Sequence, residues 1–510
     1  MTEEAKGRPM RRRAFLGWTA VSALQLYVQG CRQVVRPTPP TAVPVAIPEP
    51  LAGFGPLIEA GTGLLDLPKG FSYRILQRDG VAMGDGHSMP PQPDGMACFE
   101  GADGRWILLR NHELGDKFFL DRYGFSASMY EGGVPPKPNA DPTCYGGVSR
   151  MVIDPEVLRQ ELGATRGDRS RALLDSRMVL AGTDSNCSGG VVPEGWVTCE
   201  ESSMDGHGYA YLVRAETAEL TEPHRLESWG RFHREAVCLE PETGIVYMTE
   251  DRRDGCFYRH IPDDPTDHLG RGRLQALRIP GVPVTHLPDA GGLLVTDEEV
   301  ERSVTAWPEG QTWQVDWVDI DDPSAARDTC RAQGMDLGAS TFCRTEGVTR
   351  SGRDIWFAAS TAGPINGGQI YKYTPGADPK GGGTLRLEYE VKDRTVLSSP
   401  DNLTMAPWGD LVMAEDNYDG KHGAHHQYIR AMTGDGRIYD VARNRRNQVG
   451  DGSPGAEFTG VCFSPDGSVL FVNLGLKEHD LLAAVQYDDA MHRVHQALRE
   501  VQAAVYHYEG

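Results

Sequence analysis

Residues 235–251 read EAVCLEPETGIVYMTED, two short apolar runs joined at a glycine. The first run, Ala236 to Leu239, follows an acidic residue, and the second, Ile245 to Met248, leads into an acidic pair. Short runs rich in β-branched and aromatic residues on either side of a glycine are typical of two antiparallel strands joined by a turn. The segment therefore predicts a hairpin with carboxylates at the start of its first strand and at the end of its second.

The same unit recurs along the chain. Its other copies read DGMACFEGADGRWILLRNHE at 94–113, CSGGVVPEGWVTCEE at 187–201, EGVTRSGRDIWFA at 346–358, DNLTMAPWGDLVMAED at 401–416 and EFTGVCFSPDGSVLFVN at 457–473. The copy at 187–201 is degenerate, because a cysteine stands where the others begin with an acid. Short strands and glycine turns that repeat about every 50 residues are the signature of β-propeller blades. We expect an all-β protein, a propeller of six blades, with seven as the alternative.

Other parts of the chain depart from this repeat. The intervals 94–187 and 235–346 are much longer than one unit, and we interpret them as insertions between blades, with helical character in 155–175 and around 297–303. From Asp480 to Tyr506 apolar residues recur at helical spacing, which predicts an amphipathic helix. The expected organisation is a propeller over 51–478 and a helical extension over 479–510.

The charge is strongly negative. The chain has 51 Lys and Arg against 72 Asp and Glu, a formal charge of −21. A phosphate backbone would be repelled over most of such a surface, so general nucleic-acid binding is disfavoured. The acidic excess has two interpretations, a solubilising surface or carboxylates gathered around metal cations.

The N-terminus has the pattern of an export signal. Arg12 and Arg13 precede Phe15 and Leu16 and a modest apolar run, which is typical of twin-arginine signals. The run is too short to span a membrane, so we expect residues 1–30 to be a signal read by the twin-arginine translocation machinery, with no transmembrane helix. Cys31 resembles a lipoprotein acylation site, and residues 31–50, with six prolines, are expected to form a stiff linker. The protein is thus expected to be periplasmic or extracellular, either free or anchored by a lipid on Cys31.

The cysteines after Cys31 are scattered, with no CxxC pair, so neither a zinc ribbon nor a redox dithiol is indicated. Two interpretations stay open. One is a mixture of disulfides and buried free thiols, as an oxidising compartment allows. The other is that one cysteine is a metal ligand.

Carboxylates begin and end the repeated units. In a propeller the innermost strand of each blade lines the central channel, so the residues that begin these strands converge on one ring. Converging carboxylates repel each other unless cations neutralise them. The acids that begin units are Glu235, Glu346, Asp401 and Glu457. A second set lies one strand later: Glu113, Glu200 or Glu201, Glu250 or Asp251, and Glu415 or Asp416. Oxygen ligands suit Ca²⁺, Mg²⁺ or ferric iron, and a thiolate favours a transition metal.

Several motifs closely resemble those of the PhoX-type alkaline phosphatases. They are GTDSNCSGG at 182–190 with GWVTCEE at 195–201, RNHE at 110–113, GRFHREA at 230–236, TED at 249–251, FCRTEG at 342–347, PDNL at 400–403 and EFTG at 457–460. The resemblance runs in order from about residue 60 to 475. The sequence departs from the family pattern in the insertion after Ile153 and at Pro193 to Gly195, and these departures concern the substrate range more than metal binding.

The resemblance implies a phosphomonoesterase with a pair of ferric ions and several calcium ions bridged by an oxide. The ligands would be the carboxylates above and Cys187, and Arg344 would contact phosphate. A metal-bound oxide or hydroxide is the expected attacking group. His112 and His233 are candidates for orienting ligands or protonating the leaving group, or are structural. We expect a monomer that acts on small phosphate monoesters.

Two other functions stay open at this stage. A calcium-dependent propeller lactonase or esterase would use a similar acidic ring but would not need Cys187. A non-catalytic surface propeller would have no reason to gather carboxylates in one channel.

Overall fold

The computed structural model describes residues 53–61, 63–115, 141, 143–164, 170–282, 285, 307–324, 330–416, 426–445, 457–475 and 481–486. The described residues form 29 strands, two α-helices and one short 3-10 helix. All of them belong to one compact unit, which begins at residue 51. No helix in this part of the chain is long and apolar enough to cross a membrane.

The first strands are β1 (Leu57–Ala60), β2 (Leu65–Pro68) and β3 (Ser72–Arg78). Group 1 is an antiparallel meander of β4 (Pro93–Glu100), β5 (Trp106–His112), β6 (Gly146–Ile153) and β7 (Leu173–Thr183), with helix α1 (Pro155–Leu162) before β7. Group 2 contains β8 (Asn186–Val192), β9 (Gly195–Glu200), β10 (Ala210–Arg214) and β11 (His224–Arg225). The 3-10 helix, Glu227–Trp229, follows.

The next two groups share one nine-stranded sheet. Group 3 contains β12 (Arg234–Glu240), β13 (Ile245–Glu250), β15 (Tyr258–Pro262) and β16 (Gly272–Arg278), with the short β14 (Gly255–Cys256) before β15. Then come β17 (Thr312–Asp319), α2 (Cys330–Asp336) and β18 (Thr341–Phe342), which pairs with β14. Group 4 contains β19 (Thr345–Ser351), β20 (Asp354–Ala359), β21 (Gln369–Pro375) and β22 (Gly383–Glu390). Strand β17 pairs with both β16 and β22 and so joins the two groups.

The last two groups include strands from the N-terminal part of the unit. Group 5 contains β23 (Pro400–Met405), β24 (Leu411–Glu415), β25 (Tyr428–Met432) and β26 (Ile438–Asn444), extended outward by β2 and β1. Group 6 contains β27 (Phe458–Phe463), β28 (Val469–Leu474) and β29 (Leu481–Gln486), and β3 is its fourth strand. Pairing an early strand with the last three closes the arrangement and leaves fewer open sheet edges.

The innermost strands pack in a closed succession. Strands β4, β8, β12, β19, β23 and β27 each contact the next, and β27 contacts β4. The approach is close enough to require glycine in places. A Cβ on Gly347 would lie 2.5 Å from the backbone nitrogen of Leu403, and one on Gly95 would lie 2.7 Å from the Cα of Ser188. This propeller arrangement confirms the predicted fold class. The groups number six when the nine-stranded sheet is counted as two.

The helical predictions had mixed outcomes. Helix α1 lies within the predicted 155–175. Pro155 takes its first turn, and the carboxylate of Asp154 accepts hydrogen bonds from the backbone nitrogens of Glu156 and Val157, which caps the helix. Residues 173–175 are in strand β7 instead, and 297–303 lie outside the described residues. The two long intervals are not simply insertions, because each contains all four strands of a group.

The predicted C-terminal helix is wrong at its beginning. Residues 481–486, which include Leu482 and Val485, form strand β29 between β28 and β3. The propeller therefore continues beyond residue 478, and the rest of the predicted helix, 487–510, lies outside the described residues. All nine cysteines of the described residues are free, and all but Cys98 are buried.

Candidate metal centre

A β-bulge follows the first paired residue of the innermost strand in five groups. In β12, for example, Arg234 pairs with Glu250 and the next pair is Val237 with Met248, so two residues on β12 face one on β13. The first residue of each bulge is an acid or a cysteine. We call these residues the acid ring: Asp94, Cys187, Glu235, Glu346 and Asp401. Bulges re-aim side chains and are common at functional sites.

Group 6 fills the equivalent position differently. Its bulge lies between Thr459 and Cys462, so Gly460 stands where the other groups have a ligand type. A Cβ on Gly460 would lie 2.4 Å from the carbonyl oxygen of Asp94, which leaves no room for a side chain. Glu457, which the sequence analysis placed among the first residues of the units, lies three residues earlier. It still lies among the acids of the site: burial, and after it the charges of Asp416 and Asp94, raise the pKa of Glu457.

The acid ring is tightly clustered. The ligand atoms of Glu235, Glu346 and Asp401 lie within 4.8 Å of one another, as do those of Asp94, Glu113 and Cys187, and those of Cys187, Glu201 and Glu235. The Cys187 thiol also donates a hydrogen bond to Oδ2 of Asp94 at 3.1 Å. The structure therefore brings together residues from five different groups.

A second layer of half-buried carboxylates lies beside the acid ring. We call them the rim acids: Glu113, Glu201, Asp251, Asp416 and Glu457. Four of them follow the second strand of a group. Glu113 and Glu201 have ligand atoms close to the acid ring, and Asp251 and Asp416 raise the pKa of neighbouring ring or rim carboxyls. In each acidic pair that the sequence left open, the second residue is the one that faces the site.

The first acid of each pair accepts hydrogen bonds elsewhere. Glu200 accepts from the backbone nitrogens of Gly208 at 2.8 Å and Asp184 at 3.0 Å. The other two are also buried and paired. Glu250 accepts from the backbone nitrogen of Cys256 and from Arg331, and Glu415 accepts from the backbone nitrogen of Ser398 and from Arg430. These contacts direct Glu200, Glu250 and Glu415 away from the acid ring, and we do not assign them as ligands.

The two candidate histidines differ. His112 is fully buried, and its ring nitrogens lie 3.1 Å from the carbonyl oxygen of Pro91 and 2.9 Å from Oγ of Ser149. Burial and the charge of Arg110 hold its pKa well below the usual value. These contacts support the structural alternative for His112. Nδ1 of His233, by contrast, lies 3.2 Å from Oε1 of Glu201, and its side chain is 21% exposed.

Arg344 projects over the same site. Its Nε and Nη2 donate to the two carboxylate oxygens of Asp251 at 2.9 and 2.8 Å, and Nη2 lies 3.1 Å from Oε1 of Glu346. The residue has a φ of 54°, a left-handed conformation that is uncommon outside glycine and is often found at functional sites. Its side chain is 31% exposed, so the guanidinium can meet a ligand from solvent. Although burial opposes it, the ion pair with Arg344 lowers the pKa of Asp251 to about 2.

The remaining carboxyls have the opposite shift. Burial and the neighbouring charges raise the pKa values of Glu235, Glu346, Asp401, Glu113, Glu201 and Glu457 well above their usual range. Burial also raises the pKa of Asp94 to about 7. Crowding and burial thus oppose ionisation of these carboxyls, and a bound cation would favour their ionised forms.

The surroundings of Glu235 show whether the site fits a metal. It is fully buried, and neither of its carboxylate oxygens has a hydrogen-bond partner among the described residues. A buried carboxylate without partners costs several kcal/mol unless a cation binds it. The all-oxygen set of Glu235, Glu346 and Asp401 suits calcium, whereas the sets that contain Cys187 suit iron. The donor set therefore fits the metals that the family resemblance implied.

The sequence analysis did not identify two residues of the candidate metal centre, Asp94 and Asn111. Asp94 begins the first unit, just as Glu235 begins its own, so its position in the repeat was an available signal. Asn111 donates from Nδ2 to the carbonyl oxygens of Cys187 and Ser188, both at 2.8 Å, and accepts from Nε1 of Trp196. It thereby fixes the backbone that carries Cys187, and no sequence pattern indicated that contact.

Fold and site define a β-propeller enzyme with a cluster of carboxylates and one thiol around its inner strands. The family model described as alkaline phosphatase PhoX matches residues 52–475. The chain therefore belongs to the PhoX alkaline phosphatase family, which makes it a phosphatase. A sequence comparison with curated proteins gave no match.

The fold is similar to that of Pseudomonas fluorescens PhoX, solved in complex with vanadate, a transition state analogue. The identity is 17%, the match covers 85% of this chain and 98% of that chain, and the TM-score is 0.59. A gluconolactonase from Xanthomonas campestris is 12% identical, with 86% and 99% covered and a TM-score of 0.35. A periplasmic gluconolactonase from Pseudomonas aeruginosa is 13% identical, with 76% and 82% covered and a TM-score of 0.34. Scores as low as these two say nothing about function.

Proposed function

We propose that this phosphatase is exported, depends on iron and calcium, and hydrolyses small phosphate monoesters. The observation that supports metal dependence best is Glu235, a fully buried carboxylate that lies among other acids and has no hydrogen-bond partner in the part of the chain that the structure describes. Three carboxylate neighbours, Glu201, Glu346 and Asp401, have ligand atoms within 4.8 Å of its own. Such a group is stable in its ionised form only with cations between its members.

The residues divide by ligand chemistry. Cys187, with Asp94, Glu113, Glu201 and Glu235, would hold ferric iron, and Glu235, Glu346 and Asp401 would hold calcium. Bound cations would supply Lewis-acid polarisation of the phosphoryl oxygens and neutralise charge that develops during displacement at phosphorus. Asn111 keeps the Cys187 backbone in place through its two hydrogen bonds to that strand.

Arg344 supplies recognition of the phosphate group. A phosphate monoester is a dianion and would be repelled by the acids of an unneutralised site. The guanidinium is held by both oxygens of Asp251 and is partly exposed. A fixed, planar guanidinium binds two phosphoryl oxygens at once. We propose that Asp251 is a positioning residue for Arg344 rather than a metal ligand.

His233 is the candidate proton donor. Its Nδ1 faces Glu201, and its side chain is partly exposed at the rim. An imidazole in that position can hold a proton and deliver it to the oxygen of the leaving alcohol. His112 has no such role in our proposal, because both of its ring nitrogens contact buried protein groups.

Metal analysis with matched substrates tests the proposal. We expect the purified exported protein to contain iron and calcium and to hydrolyse p-nitrophenyl phosphate faster than the bis-ester. Glu235→Gln should lose both metal and activity. Glu240→Gln is the matched control, because Glu240 lies on the same strand, is also buried and accepts hydrogen bonds from Thr243 outside the site. A metal-free wild-type protein with full activity would contradict the proposal.

Export is tested separately. Replacing both Arg12 and Arg13 with lysine should keep the protein in the cytoplasm, because twin-arginine export depends on that pair. Normal export of the doubly substituted protein would remove this part of the proposal. Mass spectrometry of the mature N-terminus would show whether Cys31 carries a lipid.

A further inference from the structure

A cluster of metal-ligand types lies outside the acid ring and the rim acids. It contains Asp141, Cys144 and His207. Asp141 and Cys144 precede β6 of group 1, and His207 lies between β9 and β10 of group 2. The residues come from two groups, so their meeting depends on the tertiary structure and not on local spacing.

The three side chains converge on one point. Nε2 of His207 lies 3.5 Å from Sγ of Cys144 and 3.6 Å from Oδ2 of Asp141, and the three ligand atoms are within 4.8 Å of one another. Oδ1 of Asp141 accepts hydrogen bonds from Thr143, so Oδ2 is the oxygen that faces the cluster. Cys144 and His207 are buried and Asp141 is partly exposed, so one side of the cluster is open to solvent.

Glu200 provides a second, independent feature of a built site. Its Oε1 lies 2.7 Å from Nδ1 of His207. A carboxylate that accepts from one ring nitrogen fixes the tautomer, so that the other nitrogen presents a lone pair. This arrangement of carboxylate, histidine and metal is common around zinc. It also gives Glu200, which does not face the acid ring, a defined role.

We propose that Asp141, Cys144 and His207 bind a divalent transition metal of the zinc class, with Glu200 as the positioning residue of His207. A thiolate, an imidazole and a carboxylate are zinc ligands, whereas calcium and magnesium take oxygen ligands. Three protein ligands leave the fourth tetrahedral position to water. The site would tie group 1 to group 2 beside the strand ends that carry Glu113 and Glu201. It does not depend on the proposed function of the acid ring.

Zinc and cobalt binding to the full chain test this site. The wild-type protein should bind about one zinc ion per chain that Cys144→Ser and His207→Gln no longer bind. Cys199→Ser is the matched control, because Cys199 is a fully buried cysteine on β9 that belongs to none of the candidate metal-ligand groups among the described residues. Cobalt should give a thiolate charge-transfer band that Cys144→Ser removes and Cys187→Ser retains. Phosphatase activity of Cys144→Ser should stay near the wild-type value, which separates this site from the acid ring.

Other outcomes would overturn the proposal. If zinc content and the cobalt band are the same in Cys144→Ser as in the wild type, the cluster is only a hydrogen-bonded thiol and imidazole. Should both cluster variants fail to fold, the zinc-edge X-ray absorption spectrum of the Cys187→Ser protein decides, since a zinc shell without sulfur excludes Cys144 as a ligand. In Glu200→Gln, zinc affinity should fall about tenfold to a hundredfold, and an unchanged affinity would remove the positioning role.

Discussion

Replacing Glu235 with glutamine should have opposite effects on the metal-free and the metal-loaded protein. Glutamine keeps the size of the side chain and removes its charge. In the metal-free protein this removes repulsion with Glu201, Glu346 and Asp401. In the loaded protein it removes a ligand that is shared between an all-oxygen group and a group that contains Cys187.

The distances set the magnitude of the first effect. At a separation of 4.8 Å, the upper limit for these ligand atoms, two unit charges repel by about 3.5 kcal/mol at an effective dielectric constant of 20. Three ionised neighbours would add about 10 kcal/mol, which is comparable with the whole stability of a typical domain. The carboxyls avoid most of this cost by binding protons. At alkaline pH we therefore expect the metal-free variant to be more stable than the metal-free wild type by at least about 3 kcal/mol, which corresponds to the repulsion from one ionised neighbour.

The pH dependence has a definite sign. Burial and neighbouring acids raise the pKa of Glu235 in the folded protein well above 4.5. The folded state therefore binds more protons than the unfolded state once the pH exceeds the ordinary glutamate pKa. The metal-free wild-type protein should lose stability as the pH rises from about 4.5 through the raised pKa. The variant should lose less over the same range.

Urea unfolding in excess chelator and in excess iron and calcium measures both effects. Metal that binds only the folded state should raise the wild-type midpoint, and this rise should be much smaller in Glu235→Gln. The Glu240→Gln control should show the full rise. Equal midpoints for the wild type and Glu235→Gln in chelator at alkaline pH, together with an unchanged metal-induced rise, would refute the electrostatic argument.

Three further predictions follow from single residues. The purified active protein should be coloured by a thiolate-to-iron transition, and Cys187→Ser should lose the colour and most of the activity, whereas Cys199→Ser should keep both; an active, coloured Cys187→Ser protein would contradict the iron assignment. Arg344→Lys loses the bidentate contact, so kcat/KM for p-nitrophenyl phosphate should fall about tenfold to a hundredfold. Arg350→Lys, at an exposed position of strand β19, which begins just after Arg344, should not change it. Burial lowers the pKa of His260 to about 3, so the neutral ring contributes stability that is present above pH 6.5 and is lost as the pH falls toward 3. His260→Phe should reduce the loss of unfolding free energy between pH 6.5 and pH 4.5 by about 2.5 kcal/mol, measured from urea midpoints. An equal loss in the two proteins would contradict this role of His260.

The repeat predicted the fold and part of the acid ring because both depend on local pattern. Glu235, Glu346 and Asp401 begin inner strands in the sequence, and the structure has them at equivalent bulges. The offset of Glu457 was not predictable, because it depends on the strand register in group 6, where Gly460 takes the bulge position. Sequence spacing alone does not show where a bulge shifts a strand by one residue.

The closing strand was missed for a different reason. Leu482 and Val485 fit a helical spacing, but an apolar run of this length fits a buried strand equally well. Their strand pairs with Ser72–Arg78, about 400 residues earlier in the chain. A pairing between residues this far apart is set by closure of the propeller, and local periodicity does not contain it.

The acidic pairs show why charge alone identified too many ligands. Successive residues of a strand point to opposite sides. Glu201 therefore faces the acid ring while Glu200 accepts hydrogen bonds from the loop that follows. Glu250 and Glu415 likewise accept from backbone nitrogens of later residues, Cys256 and Tyr428. The acidic excess thus includes a third kind of carboxylate, neither solubilising nor metal-binding, which fixes the loops around the site. The geometry of a strand end allows only one acid of each pair to face the channel, so the other was available for this structural task.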